Sequence, residues 1–380
     1  MFDNLYLNHI ESIPSFIRDV FSSINQEALR ISKEISHLPL QSVYLYGSGD
    51  SWCAALGAAG AFMELCKLPA YPLTSLQASR YAPGYCMPKP ESVLVIGVSN
   101  SGRMIRGVEA TMALSKAGYS PVLITSAPDS PGAKAAGKVF LTPSSPKDPI
   151  PLPGVKSFVI AQLSLYLLAV HLAHEKNLLD TATADKLIEE LSSFDRLLPS
   201  ALNANRKKLQ SFAKLCAKEE RVEFLSGGSC KASADFGMAK TLEATGYTAL
   251  SPELEEFAHM NFFSLYPEHI PTVLICPDSA RFLNRCLELE QSMRYQKRPY
   301  IVITDSNRFL ADEEHTIKVP FFLTEKFAPL TLSFLSACLT AYMPLKENDI
   351  YMHGHMGPYF EGPFSEGEGF PTIMNSKITL

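Results

Sequence analysis

No C-x-x-C pair occurs among the eight cysteines of this chain, and Cys66, Cys216, Cys276 and Cys338 each sit inside an apolar run. A disulfide framework or zinc ribbon needs close, regular cysteine spacing, so both are excluded. The cysteines read instead as small buried hydrophobes of a reducing, cytoplasmic compartment. His353-x-His355 lacks a third ligand at suitable spacing, so no metal is expected. Positive charge is scarce as well. With a net charge of −5 there is no basic stripe to neutralise phosphates, which excludes nucleic acid as a partner. No basic segment followed by an apolar run opens the chain, so no secretory leader is expected. The longest apolar stretch, Phe158 to Ala173, is broken by Gln162, Ser164 and His171. It falls short of the roughly 18 apolar residues of a membrane span, so it reads as a core helix and no membrane partner is expected.

What is present is an ordinary globular composition, 46% hydrophobic and 19% charged over 380 residues, enough for two or three domains by length. The chain is written twice. β-Branched apolar runs place strands starting at Val43, Val93, Val122 and Val139, and again at Val222, Val273, Ile301 and Ile317, offset by 179, 180, 179 and 178 residues. Strand runs alternating with helix-length stretches predict parallel α/β sheets, and a repeat this long predicts two domains rather than a solenoid. Residues 1–40, with Ile10, Ile13, Ile17, Val20 and Phe21 at helical spacing, read as a helical cap for the first domain. The first domain then covers 41–177, a helical connector 178–220 and the second domain 221–345. The tail, 346–380, is rich in glycine and aromatics and has no period, which predicts an ordered cover over a site.

Two turns carry chemistry. Val43–Tyr46 is followed by Gly47-Ser48-Gly49-Asp50-Ser51 and an Ala/Gly-rich helix. Such a strand-to-helix turn aims backbone N–H groups and a helix dipole at an anion. One strand on, Val93–Ile96 leads into Ser99-Asn100-Ser101-Gly102 before another helix. A helix cap needs one serine; two serines and an asparagine exceed that and suit a compact tetrahedral anion. Neither turn has the Lys-Ser/Thr ending of a P-loop or the dinucleotide G-x-G-x-x-G spacing. After the matching strand of the second copy stands Cys276-Pro277-Asp278, with no hydroxyl cluster.

Together, Gly49 and Ser51 in the first turn and Ser99, Asn100 and Ser101 in the second resemble the sugar isomerase (SIS) domain. The duplication resembles the double-SIS family of the isomerase half of glucosamine-6-phosphate synthase, with related phosphosugar isomerases, deaminases and fructosamine-6-phosphate deglycases. The resemblance spans about residues 41–345 and the last few residues. It implies an α/β fold of two doubly wound SIS-type domains, each a five-stranded parallel sheet flanked by helices. Gly237-Met238-Ala239-Lys240-Thr241-Leu242-Glu243 resembles the family's G-A-L-K-x-x-E helix, and Glu256-Phe257-Ala258-His259 its E-x-x-H segment, 16 residues after that Glu. The resemblance then implies Glu243 as the base between C1 and C2, His259 as the ring-opening group reaching a neighbour's site, and Lys240 as the motif lysine. Read on their own, Lys240 and Glu243 are an i, i+3 pair of the kind that usually decorates a solvated face, and His259 is an ordinary interface or core histidine.

The departures are specific. Arg103 and Met104 stand where the family has an acidic residue and a threonine, exchanging a hydroxyl donor for a cation. That leaves the C6 group open between phosphate and sulfonate. The tail's Lys377 lies one position off the family's terminal lysine. The chain starts Met1-Phe2 and lacks a glutaminase nucleophile, so glutamine-dependent amination is not expected. The resulting expectation is a cofactor-free aldose–ketose isomerase of a small anionic sugar, working as a homo-oligomer with a shared site. A deaminase or deglycase using the same proton shuttle stays open beside it, and so does a non-catalytic sugar sensor, against which Glu243 and His259 both speak.

Overall fold

The strands form because their residues are apolar on both faces, as in a parallel sheet covered on each side. In the computed structural model, which describes residues 4–84, 87–146, 148, 150, 152–345 and 376–379, all six residues of Val93–Val98 are buried. The chain divides into two compact units, one of Met1–Pro14, Asp148–Val155 and Phe194–Tyr359, the other of Ser15–Lys147, Lys156–Ser193 and Phe360–Leu380.

The unit that starts at Ser15 holds a five-stranded sheet made of β1 (Ser42–Gly47), β2 (Ala70–Thr74), β3 (Val93–Val98), β4 (Val122–Thr125) and β5 (Lys138–Leu141), in the order β2-β1-β3-β4-β5. The other unit holds β6 (Arg221–Leu225), β7 (Thr248–Leu250), β8 (Thr272–Ile275), β9 (Tyr300–Thr304) and β10 (Thr316–Lys318), in the order β7-β6-β8-β9-β10. Every pairing is parallel, and the two orders are the same once aligned. The eight strands expected from the repeat are present, each starting at or one residue before the expected position. The repeat did not locate β2 and β7, both at sheet edges. Pro72 removes a ladder donor from β2, as edge strands tolerate, and β7 has only three residues.

In the first unit the helix Asp50–Cys66 packs on the helix Lys156–Glu175. Its Ala54, Ala55, Gly57, Ala58 and Ala59 are buried, and such small side chains let the two backbones come close. Tyr166 Oη donates to Gly57 O at 3.3 Å, and Cys66 Sγ to Ala169 O at 3.3 Å. By length and composition Lys156–Glu175 would pass as a membrane span, yet 89% of its apolar window is buried inside the fold, which makes it the core helix expected. Each fully buried Leu, Ile or Phe in it contributes roughly 1.5–3 kcal/mol. The seven cysteines among the described residues are all buried.

The second unit is pinned by an ion pair between Arg298 and Glu223, 3.0 Å apart and both fully buried, with the guanidinium 5.0 Å over the Phe257 ring. Its first helix, Leu5–Glu11, is tied in by Asn4 Nδ2 donating to Ala341 O at 2.7 Å. Residues 1–40 are therefore not one cap. The helix breaks at Ser12, and most of the longer helix Ile13–Ile35 belongs with the first sheet. The connector likewise resolves into Thr181–Ser192, which stays with the first unit, and Phe194–Glu219, a core helix of the second.

Candidate functional site

In the first sheet the connections change direction between β1 and β3, the point at which open α/β sheets bind ligands beyond the carboxyl ends of their strands. Both expected anion turns leave the sheet there. Gly49 is the N-cap of Asp50–Cys66, at φ +54°, and no side chain caps the helix, so its positive end is turned to that edge. The left-handed φ is one that glycine adopts without strain. A small cavity opens beside it. Asp50, Ser51, Asn100, Thr142 and Ser157 supply its polar lining, and Val98, Ile124 and Phe158 its apolar floor.

Of the expected anion residues, Ser51 and Asn100 share this cavity. Asn100 is held from β4: its Oδ1 accepts from Ser126 Oγ at 3.1 Å, and its carbonyl from Thr125 Oγ1 at 3.0 Å and Ser126 N at 3.1 Å. The other residues of the second turn are placed differently. Ser99 is buried, and its Oγ would lie 4.0 Å from a Cβ on Gly107, so it faces the helix Ile105–Lys116. Ser101 Oγ accepts from Arg103 N at 3.3 Å, a turn-forming bond. Arg103 is exposed. Gly102 has φ +59°, and a Cβ there would meet Ser130 Oγ at 1.9 Å. Asp50, Thr142 and Ser157 did not stand out in the sequence, where the only signal is that Thr142 and Ser157 flank the proline-rich loop.

In the second unit the helix Lys231–Thr245 carries Glu243 in its last turn, before the left-handed C-cap Gly246. Lys240 Nζ lies 2.5 Å from Glu243 Oε2; the lysine side chain is 1% exposed and the glutamate 25%. The ammonium also stands over the Phe236 ring at 5.2 Å. This is not a solvated helix pair: a buried cation positions a reachable carboxylate. His259 ends the short helix Leu254–His259, 68% exposed, with Nε2 3.3 Å from Glu255 Oε1. Arg285 donates to both oxygens of Glu255, at 2.6 and 3.0 Å. Those bonds hold the Glu255 carboxyl below its ordinary value, so His259 leans on a firmly ionised partner. The next residues present Met260, Phe263, Leu265 and Tyr266 to solvent.

The second sheet's own switch point is occupied from within. Asp278 N donates to Asp305 Oδ1 at 2.7 Å and Leu323 N to Asp305 Oδ2 at 2.9 Å. Arg281 N donates to Glu325 Oε2 at 3.0 Å, and the other oxygen of Glu325 would lie 2.8 Å from a Cβ on Gly228. Carboxylates of the chain thus accept from main-chain N–H groups beyond the strand ends of the second sheet.

Lys377 is exposed, and its carbonyl accepts from Arg106, in the first turn of the helix that follows the serine turn. The rest of the expected cover, residues 346–375 with His353 and His355, lies outside the described residues. Among the described residues no group of three or more His, Cys, Asp or Glu side chains is arranged to hold a metal.

The two parallel five-stranded sheets share one strand order, and both glycine-containing turns of the first lie at its switch point. Residues 40–172 match the family model of the SIS domain, and the second sheet repeats the strand order of the sheet those residues form. Its sequence is 28% identical over 201 residues to the glutamine–fructose-6-phosphate aminotransferase (isomerizing) of Gloeobacter violaceus, a match covering 52% of this chain and 31% of that protein. The chain thus spans about a third of that relative's length. Its fold is similar to the C-terminal domain of glucosamine-fructose-6-phosphate aminotransferase from Francisella tularensis, with a TM-score of 0.76 and 19% identity, covering 90% of this chain and 95% of that one. It is also similar to the glucosamine-6-phosphate deaminase of Thermotoga maritima, with a TM-score of 0.65 and 16% identity, covering 89% and 93%.

Proposed function

We propose that the protein is an enzyme that moves a proton between C1 and C2 of a hexose carrying an anionic group at C6. The observation that carries this reading is the Lys240–Glu243 pair, in which a fully buried ammonium fixes a carboxylate that stays a quarter exposed. A positioned carboxylate is the group that general-base proton transfer needs. Ser51 and Asn100 hold the C6 anion, aided by the helix end at Gly49, while Ser99 and Ser101 shape the turn and Arg103 adds positive charge at its rim. Asp50, on the same cavity wall, suits sugar hydroxyls. Glu243 takes the proton from the carbon beside the carbonyl, giving an enediolate, and returns it to the neighbouring carbon as the hydroxyl proton passes to the former carbonyl oxygen. The ammonium of Lys377 stabilises the charge that develops on the enediol oxygen.

His259 opens the sugar ring in a neighbouring subunit of a homo-oligomer. Its exposure, next to an apolar segment that is also exposed, supports this placement. With an amine at C1 or C2 the same shuttle gives an imine that water cleaves, the outcome matching the deaminase among the structural relatives. The test is incubation of C6-phosphorylated and C6-sulfonated hexoses, with and without an amine, in deuterated water. Deuterium entering C1 or C2 supports the shuttle; binding without exchange by any member of the panel makes the protein a sensor. Sharing between subunits is tested by mixing Glu243→Gln and His259→Ala proteins. Recovered turnover in the mixture supports a shared site, and none places both residues in one chain's site.

A further inference from the structure

Glu109, on the inner face of the helix Ile105–Lys116, is fully buried. A buried carboxylate is costly unless it is paired and its lone pairs are filled. Two arginines pair with it: Arg80 NH2 at 2.8 Å and Arg106 NH1 from one turn earlier. Its remaining partner is not part of the domain's core but the end of the chain, since Thr379 N donates to Glu109 Oε1 at 2.9 Å. Arg106 NH2 also reaches the tail, donating to Ser376 Oγ at 2.9 Å and to the carbonyl of Lys377. Three of the four described tail residues are thus gripped by one Arg–Glu–Arg cluster. Two arginines against one carboxylate leave a surplus positive charge, which suits the carbonyl and hydroxyl oxygens the tail presents.

The contacts also give a direction. Ser376 and Lys377 meet Arg106 in the first helical turn. Thr379 meets Glu109, and beyond it lines a cavity with Arg80, Ala113 and Lys116 towards the helix's far end. The tail therefore runs alongside the helix in the same sense, and Lys377 stands at the end where the serine turn leaves β3.

We propose that Arg80, Arg106 and Glu109 are positioning residues, a dock that fixes residues 376–379 on the SIS domain and thereby holds Lys377 at the ligand-binding edge. The part concerning Lys377 rests on the function proposed above; the dock itself does not. None of the three is a catalytic residue, because each acts through the tail.

The test has two arms on the full-length protein. In the first, amide hydrogen exchange at Thr379 is compared in the parent, Glu109→Gln and Arg106→Met. Loss of a charge-assisted bond predicts exchange faster by about 10- to 100-fold, with the amides of β1 and β3 unchanged. Arg106→Met keeps the falsifiability if Glu109→Gln fails to fold. Unchanged exchange at Thr379 in a folded variant overturns the dock. In the second arm, kcat and KM are measured for the same variants, for Lys377→Ala and for a chain lacking residues 376–380. A drop in kcat with KM kept, no larger when Glu109→Gln is added to the truncation, is expected. Additive losses would overturn positioning through Lys377. If no substrate turns over, the function proposal fails and the exchange arm still decides the dock.

Discussion

Replacing Glu243 by Gln separates what the Lys240 pair does for folding from what it does for chemistry. Glutamine keeps the shape and one acceptor, but the ammonium of Lys240, 1% exposed, loses the charge it faces. A hydrogen bond to a charged group is worth roughly 1.5–3 kcal/mol, so the variant is expected to lose about that much stability. With a urea slope of about 1–3 kcal/mol per molar, the unfolding midpoint of that unit should fall by about 1 M. Turnover should fall by about 10²–10⁴-fold, the usual contribution of a positioned base. Removing the ammonium as well, in Lys240→Met with Glu243→Gln, puts an apolar side chain of similar volume against Phe236. Replacing both partners of a buried pair is close to neutral, so stability should return towards the parent value while turnover stays lost. Urea midpoints and solvent-deuterium exchange into a C6-phosphorylated hexose, measured on the parent, both single variants and the double variant, complete the cycle. Exchange at the parent rate in Glu243→Gln would refute the assignment of the base, and recovery of turnover in the double variant would refute it equally.

Ser51→Ala and Asn100→Ala should each weaken binding of inorganic phosphate or a C6-anionic sugar by about 10- to 100-fold, one charge-assisted bond apiece. Calorimetric titration checks this, and Ser99→Ala, which faces the helix instead, should change it much less. Gly102→Ala combines a left-handed φ with a clash on Ser130 and should cost at least about 1–3 kcal/mol, read from the thermal unfolding of the SIS domain. His171, 2.7 Å from Asn25 Oδ1, is held neutral mainly by burial, its pKa lowered from 6.5 to about 4. Its folded pKa lies below its unfolded one, so the unfolded chain binds the extra proton. Its contribution is therefore full above about pH 6.5 and shrinks as pH falls towards 4. Urea midpoints at pH 5 and 7 should differ less in His171→Gln than in the parent, and an equal difference would discard this account.

The fold was legible because the apolar runs repeat with a constant offset, and buried parallel strands need little beyond such runs. The edges were not: Pro72 and the three-residue β7 interrupt the pattern that marks a strand. The serine turn was legible as a turn, yet Ser99 and Asn100, adjacent in sequence, face different sides of the strand end. Only the packing of Gly107 against one and of Thr125 and Ser126 around the other decides which meets the cavity. Lys240 and Glu243 look like surface decoration at i, i+3 spacing, and it is the burial of the lysine, a tertiary property, that makes the pair distinctive. Arg106 and Glu109 have the same spacing, and nothing local relates them to residues some 270 positions away.

The carboxylates of Asp305 and Glu325, seated on main-chain donors beyond the second sheet, bear on how many anions one chain should take under the proposed function. A duplicated domain begins with two equivalent cradles, and here one of them carries its own permanent counter-ions. Saturation should then come at one anion per chain, with no second, weaker phase contributed by the other half. Any cooperativity seen in such a titration would then arise between chains, because the turns of the second copy already hold carboxylates of the chain and that copy contributes Glu243 to the proposed chemistry instead.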